Sequence, residues 1–276
     1  MLKQRTITGL VLAPIGIAAV LLLPTAALAV FTSMTVLVAM WEWTRMSGFA
    51  SRPVRSGVVA FVVLALFALW AARDEMLIWY LVIVANVWWI VAFVWLRNIS
   101  FGAAPTRENA AIKLVAGLLA TLPAWVALNW IHSDPHGGPG WALLAMMLVS
   151  VADTAAYFTG SRYGKKKLCP QISPNKTIAG VYGALASGAI LSAIGGWLLH
   201  LRGLAWLALI ALALVVVIAS IVGDLFESLI KRQAGVKDSG TLFPGHGGMF
   251  DRLDGMFAAL PVFALGKALL DLVFAP

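Results

Sequence analysis

The sequence predicts an all-α fold: a polytopic integral membrane helical bundle of about nine transmembrane helices with a cytoplasmic N-terminus. Three observations carry that prediction. The hydrophobic share of the 276 residues is 61%, against roughly half in an ordinary soluble domain. Apolar runs of about 17 to 25 residues, the length that crosses a hydrocarbon core, recur along the chain. Basic residues also segregate. With the N-terminus inside, the inside loops collect 17 of the 20 Lys and Arg, the outside loops receive only Arg73 and Arg202, and Lys267 lies near the last span. That bias fixes the orientation and leaves the C-terminus outside.

Taken in order, the spans cover about 7–23, 25–44, 56–72, 76–96, 112–132, 140–160, 178–200, 203–226 and 256–274. Pro24 is nearly the only break between the first two. Lys3, Arg5, an apolar run and Ala27-Leu28-Ala29 look like a cleavable leader, but an uncleaved first span is the preferred reading, and cleavage would leave the later topology unchanged.

Residues 1–150 read as N-terminal transmembrane helices, scaffold and lipid-facing. Residues 151–276 read as the C-terminal catalytic region, with a polar site facing the cytoplasm. Trp41, Trp43, Trp79, Trp88, Trp89, Trp95, Trp125, Trp130 and Trp141 lie mostly toward span ends, as interfacial anchors do. Glu42 and Arg45, three apart, are expected to form a local ion pair. His132 and His136 read as solvated loop histidines. A single cysteine, Cys169, excludes an intramolecular disulfide and a cysteine metal cluster. The net charge of +8 comes from the inside loops and suits anionic lipid head groups, not nucleic acid.

Chemistry begins in the sixth span. Asp153 is an ionisable residue within an apolar helix, so it should face the interior or a wet cavity. Lys165, Lys166 and Lys167 read as topology determinants on a wet loop. In Ser173-Pro174-Asn175-Lys176-Thr177 a Pro-fixed turn carries hydroxyl, amide and ammonium donors suited to phosphate or nucleobase. The seventh span is rich in Gly and Ala, which permits close helix packing. The eighth, continued to residue 231, would reach about 43 Å, beyond a hydrocarbon core of about 30 Å, so its end should emerge at the cytoplasmic boundary. Lys267 and Asp271, four apart in the last span, read as a pair near the outer face.

The polar side chains concentrate between Gly223 and Gly255. Asp224, Glu227, Ser228 and Lys231 fall at i, i+3, i+4 and i+7 and share one helix face. Asp251 and Asp254 project two carboxylates from one turn. Oxygen ligands so grouped suit Mg²⁺, which takes one or two carboxylates plus substrate phosphates. Between the acidic clusters lie Lys231, Arg232 and Lys237 and the glycine-rich turn 244–248, whose backbone N–H groups can approach an anion. Carboxylates for a cation and cations for phosphate together indicate a nucleotide or phosphoryl site.

Ser228 through Asp254 resembles the signature of the phosphatidate cytidylyltransferases, or CDP-diacylglycerol synthases. The matching positions are Ser228, Lys231-Arg232, Lys237-Asp238, Gly240, Phe243, His246-Gly247-Gly248 and Asp251-Arg252-Leu253-Asp254. Asp153, Ala156 and Tyr157, followed by Ser173, Pro174, Lys176 and Thr177, are similar to a second motif of that family. The resemblance thus spans about 100 residues, Asp153 to Asp254. It implies a reaction of CTP with phosphatidic acid to give CDP-diacylglycerol and pyrophosphate, at the cytoplasmic face of a bacterial inner membrane.

On that reading Asp224, Asp251 and Asp254 hold Mg²⁺, alone or with a second cation. Lys231, Arg232, Lys237 and Arg252 bind phosphates or the leaving pyrophosphate. Ser173, Asn175, Lys176, Thr177 and Ser228 help hold substrate, and Asp153 reads the nucleotide or supports a cation. His246 donates to a phosphate or orders its turn, and Asp238 orients Lys237 or Arg252. The sequence leaves a homodimer open. Three rivals stand beside this reading: a CTP-dependent lipid kinase acting on a polyprenol-type alcohol, a CDP-alcohol phosphotransferase and a transporter. The phosphotransferases typically space their aspartates by three intervening residues, unlike Asp251 and Asp254. A transporter should carry broken helices and polar sites at the bilayer midplane.

Overall fold

The computed structural model describes residues 13–243 and 247–274. Among these residues there are nine helices: α1 (Ala13–Leu22), α2 (Thr25–Met46), α3 (Arg52–Ala71), α4 (Leu77–Trp95), α5 (Arg107–His132), α6 (Gly138–Tyr163), α7 (Ile178–Leu198), α8 (Gly203–Gln233) and α9 (Phe250–Phe274). All but α1 are long and apolar enough to cross a membrane, so the chain is an all-α polytopic membrane protein. The first predicted span falls partly on residues 1–12, outside the described residues.

Local chemistry accounts for the helix boundaries. Pro24 adopts extended dihedrals (φ −64°, ψ 153°) and starts α2 without continuing α1. Thr106 and Thr177 cap α5 and α7, each hydroxyl oxygen accepting from the N–H three residues on, Asn109 and Gly180. Several elements exceed the predicted spans. α5 begins at Arg107, α6 runs on to Tyr163, and α9 starts at Phe250, six residues early, because its polar first turns are held by capping contacts and not by hydropathy. α8 has 31 residues, about 46 Å at 1.5 Å per residue, longer than a hydrocarbon core of about 30 Å requires.

One element was not expected. The basic segment after α6 forms a small antiparallel hairpin, β1 (Lys167–Cys169) with β2 (Ser173–Thr177), where the sequence suggested only a loop. Its turn buries Ile172 completely. The hairpin delivers Lys176 to the bundle end and runs directly into α7.

In the C-terminal half α6 packs on α7, α7 on α8 and α8 on α9, while α9 also lies against α5 and α4. The small residues of α7 do the expected work. A Cβ at Gly188 would stand 2.7 Å from Val217 of α8, so only glycine permits that approach.

Three expectations are corrected. Trp43, Trp89, Trp95, Trp125 and Trp141 are buried in the bundle and do not anchor it at an interface. Trp43, for example, stacks on Phe250 (4.6 Å between centroids) and Phe226 (6.2 Å), and its indole N–H donates to the Lys113 carbonyl at 2.7 Å. His132 is not solvated. It is buried between α1 and α2, within 2.9 Å of the Thr25 hydroxyl and of the Val20 carbonyl. Glu42 and Arg45 form no ion pair with each other, because both reach forward to residues about 200 positions later. At the far end of the bundle the Lys267–Asp271 pair is present at 2.7 Å, and Lys267 also pairs with Asp134.

Candidate active site

The polar residues of α6, β2, α8 and α9 meet at one end of the bundle. α9 presses on α8 so closely that a Cβ at Gly223 would stand 2.5 Å from the Asp254 carbonyl oxygen. This contact sets Asp254 beside the turn that carries Asp224. Lys176, projected from β2, pairs with Asp224 at 2.6 Å. Ser228, one turn further along α8, donates to the other Asp224 oxygen at 3.3 Å. Asp153 of α6 is surface-accessible but lies in a recess, within electrostatic reach of Asp224, Lys176 and Arg252. Asp254 in turn lies within reach of Asp224, Asp153 and Lys176. Its own carboxylate accepts from the Gly255 N–H at 2.7 Å. Three carboxylates therefore share one recess with few cations to balance them.

Asp251 is engaged differently. Its Oδ1 accepts from the Lys231 ammonium at 2.7 Å, and its Oδ2 accepts from the N–H groups of Ser239 (2.8 Å) and Gly248 (2.7 Å) and from the Ser239 hydroxyl (2.9 Å). Lys231 also lies 2.5 Å from Glu227 Oε2, four residues back on α8. Glu227 is 1% exposed, and neither of its oxygens makes a directed hydrogen bond, so the charge of Lys231 is its compensation. The Asp251–Lys231–Glu227 chain thus locks α9 to α8. Among the described residues no three His, Cys, Asp or Glu side chains close around a metal position. The expected trio divides, with Asp224 and Asp254 in the recess and Asp251 in the lock.

The remaining expected residues fall into two groups. Lys237, Asp238 and Arg252 are exposed, and among the described residues none forms an ion pair, so Asp238 does not orient Lys237 or Arg252 through a salt bridge. Ser173 and Asn175 lie on β2, half-buried and exposed respectively. Their side chains make no hydrogen bond among the described residues and are available to a ligand. Two others serve the fold as well. Arg232 spends its Nε–H on the Ile172 carbonyl at 3.2 Å, tying α8 to the hairpin turn. Thr177 is buried and caps α7, with its side chain packed against Gly160 and Gly164. His246 lies outside the described residues.

The glycine-rich turn was expected to present N–H groups to a phosphate. Among its described residues Gly248 presents its N–H to one of the protein's own carboxylates, and the two N–H groups that follow the turn do likewise. Gly248 N–H goes to Asp251, and the N–H groups of Met249 and Phe250 go to Glu42 at 3.1 and 2.9 Å. Glu42 and Ser239 are the residues that sequence reasoning missed here. A signal for Glu42 existed, since an ionisable group inside an apolar span carries a functional presumption, but Arg45 three residues later offered a local partner. Ser239, between Asp238 and Gly240, carried no signal of its own.

The profile of the Cytidylyltransferase family matches residues 3–269. The phosphatidate cytidylyltransferase of Pseudomonas aeruginosa is 42% identical over 268 residues, 96% of each chain. That of Haemophilus influenzae is 32% identical over 285 residues, covering 96% of this chain and 98% of the relative. That of Brucella suis is 38% identical over 162 residues, 56% of each chain. A match of this extent, with carboxylates and cations gathered at one end of a membrane-spanning bundle, places the chain: it belongs to the cytidylyltransferase family.

Proposed function

We infer that the protein transfers the cytidylyl group of CTP to phosphatidic acid, giving CDP-diacylglycerol and pyrophosphate, at the cytoplasmic face of a bacterial inner membrane. The observation that carries this reading is the placement of the recess. Asp153, Lys176, Asp224 and Asp254 converge where α8 outlasts the hydrocarbon core, the one level at which a lipid head group and a water-soluble nucleotide can meet.

In this reaction a phosphate oxygen of phosphatidic acid attacks the α-phosphorus of CTP. The new P–O bond forms as the bond from the α-phosphorus to the bridging oxygen breaks, and pyrophosphate leaves with that electron pair. The attacking phosphate monoester is already anionic near neutral pH, so no side-chain nucleophile is required. The protein's work is to bring two anions together and to stabilise charge on the leaving group. Lys237 and Arg252, exposed and unpaired among the described residues, serve the phosphates, and Arg232 offers its remaining N–H groups. Ser173, Asn175 and Ser228 orient the substrates, and Thr177 caps α7 at the end of the strand that carries Ser173 and Asn175. His246 either donates to a phosphate or orders its turn.

The recess fits a divalent cation, because the three carboxylates of Asp153, Asp224 and Asp254 exceed the two positive charges within reach, Lys176 and Arg252. Asp224 and Asp254 are the residues that would hold Mg²⁺, and Asp251 could join them only by exchanging Lys231 for the ion. Such an ion supplies Lewis-acid stabilisation of the phosphoryl oxygens.

The test is direct. Purified protein in detergent, given labelled CTP, should make a lipid-extractable cytidine product only when phosphatidic acid and a divalent cation are both present. Product formed without phosphatidic acid would overturn the acceptor assignment, and product formed under strong chelation would overturn the cation assignment.

A further inference from the structure

Glu42 lies on α2, in the half of the chain that holds none of the motifs described above, yet its carboxylate holds the start of α9, the helix that carries Asp251 and Asp254. It is 7% exposed. Its Oε1 accepts from the Met249 N–H (3.1 Å), and its Oε2 accepts from the Phe250 N–H (2.9 Å) and the Ser239 hydroxyl (3.0 Å). The first N–H groups of a helix have no partner within it, and the N-terminus favours a negative charge. Glu42 meets both needs for α9 from about 200 residues away, in the role that a local Ser or Asp usually fills.

The surroundings are shaped for this carboxylate. A Cβ at Gly240 would stand 2.6 Å from Glu42 Cδ, and one at Gly248 would stand 2.5 Å from the same atom. Neither glycine has a left-handed backbone, so what each provides is room for Glu42. Arg45, one helical turn on, donates to the Ser239 carbonyl at 2.9 Å, and Trp43 stacks on Phe250. The Ser239 hydroxyl lies within hydrogen-bonding distance of both Glu42 Oε2 and Asp251 Oδ2, at 3.0 and 2.9 Å. Having one proton, it is shared between the two carboxylates and couples the orientation of Asp251 to that of Glu42.

We propose that Glu42 is a positioning residue for cytidylyl transfer, clasping Ser239 and the Met249–Phe250 start of α9 to α2 so that the first turn of α9 holds Asp251 in its lock and Asp254 in the recess. This proposal rests on the function proposed above and adds a residue from outside the motif region. Glu42 acts through Ser239 and the helix start, not on the substrates, so its loss should appear in turnover and not in affinity.

Glu42→Gln keeps the volume but turns one acceptor into a donor facing N–H groups. Full-length protein in detergent should retain its fold and its KM for CTP and phosphatidic acid within about twofold, while kcat falls by about a hundredfold, the usual scale for a misplacement of about 1 Å. Hydrogen exchange at the Met249 and Phe250 amides should accelerate while the rest of the bundle keeps its protection. Unchanged kcat, a loss confined to KM, or unchanged exchange at those amides would overturn the proposal. Should Glu42→Gln not fold, Ser239→Ala decides. It removes the shared hydroxyl and leaves both amides capped, so a wild-type kcat in that variant also overturns it. If the unaltered protein forms no CDP-diacylglycerol, the functional reading fails on its own, and the exchange measurement still tests the clasp.

Discussion

Gly248→Ala probes a tight approach between the turn before α9 and Glu42. A Cβ there would lie 2.5 Å from Glu42 Cδ, and closer still to Glu42 Oε2 and the Ser239 hydroxyl oxygen, whereas ordinary contact begins at 3.4 Å. Neither neighbour can swing away cheaply, because Glu42 is fixed by three hydrogen bonds and Ser239 by its links to Glu42, Asp251 and Arg45. Relief therefore requires α2 and the start of α9 to part by about 1 Å, at a cost of about 1–3 kcal/mol in stability. The same displacement moves Asp251 and Asp254, and a shift of that size among reacting groups costs on the order of a hundredfold in rate. The assay is the initial rate of lipid-extractable cytidine formation, with thermal unfolding measured in the same detergent. Gly57→Ala, whose Cβ meets nothing within 4 Å, is the control and should behave as wild type. A Gly248→Ala protein with unaltered rate and melting temperature would refute the packing argument.

Three further predictions use the same preparation. Asp254→Asn should nearly abolish turnover and leave the fold intact, as judged by thermal unfolding; a normal rate would remove Asp254 from the cation site. Lys231→Met strands Glu227 and Asp251 without their shared cation, and should destabilise the protein by about 3–5 kcal/mol as well as inactivate it, read as a lowered melting temperature. At the opposite end, burial tends to raise the Asp134 pKa, but hydrogen bonds and charge attraction from Lys267 and the His136 N–H outweigh it and hold the group below its ordinary value. A depressed folded-state pKa contributes stability that is present above the unfolded value of about 3.9 and is lost as pH falls through the lower folded value. Between about pH 5 and pH 3 the wild-type melting temperature should thus fall more than that of Asp134→Asn, and equal slopes would contradict the pairing.

The sequence made the architecture legible because a membrane span is a statement about composition and length. Runs of apolar residues marked the spans, with boundaries displaced only where caps and polar turns extend a helix, as at Phe250. The polar stretch from Asp224 to Asp254 was equally legible, since its side chains repeat at helical spacing and its pattern is long. What stayed hidden was long-range partnership. Nothing local to Glu42 announces an appointment with Phe250, and Arg45 supplied a nearer and misleading partner. Gly248 looked like a turn or phosphate-binding residue and Gly240 like one position of a motif, yet both are required because a carboxylate from α2 fills the space above them. The hairpin was missed because Pro174 and the lysine run both argue for open loop, and only the burial of Ile172 against the bundle shows why strands form there.

The division between Asp251 and its two companions also follows from the fold. Carboxylates three apart on a helix share a face, so spacing alone treats Asp251 and Asp254 alike. Their partners separate them: Lys231, Ser239 and Gly248 claim Asp251, while Asp254 lies within electrostatic reach of Asp153 and Asp224. On the function proposed above, the two kinds of acid divide the work, one to bind a cation and one to hold the binding helix still.

The central claim, that one wet recess joins a nucleotide to a lipid phosphate, is tested most directly by following two labels in CTP through a single turnover with phosphatidic acid. The account predicts that a label on the α-phosphate enters the lipid fraction while a label on the γ-phosphate leaves as pyrophosphate, in equal amounts. A γ-label that appears in the lipid, with CDP as the soluble product, would contradict it and assign the site to phosphorylation of a lipid alcohol.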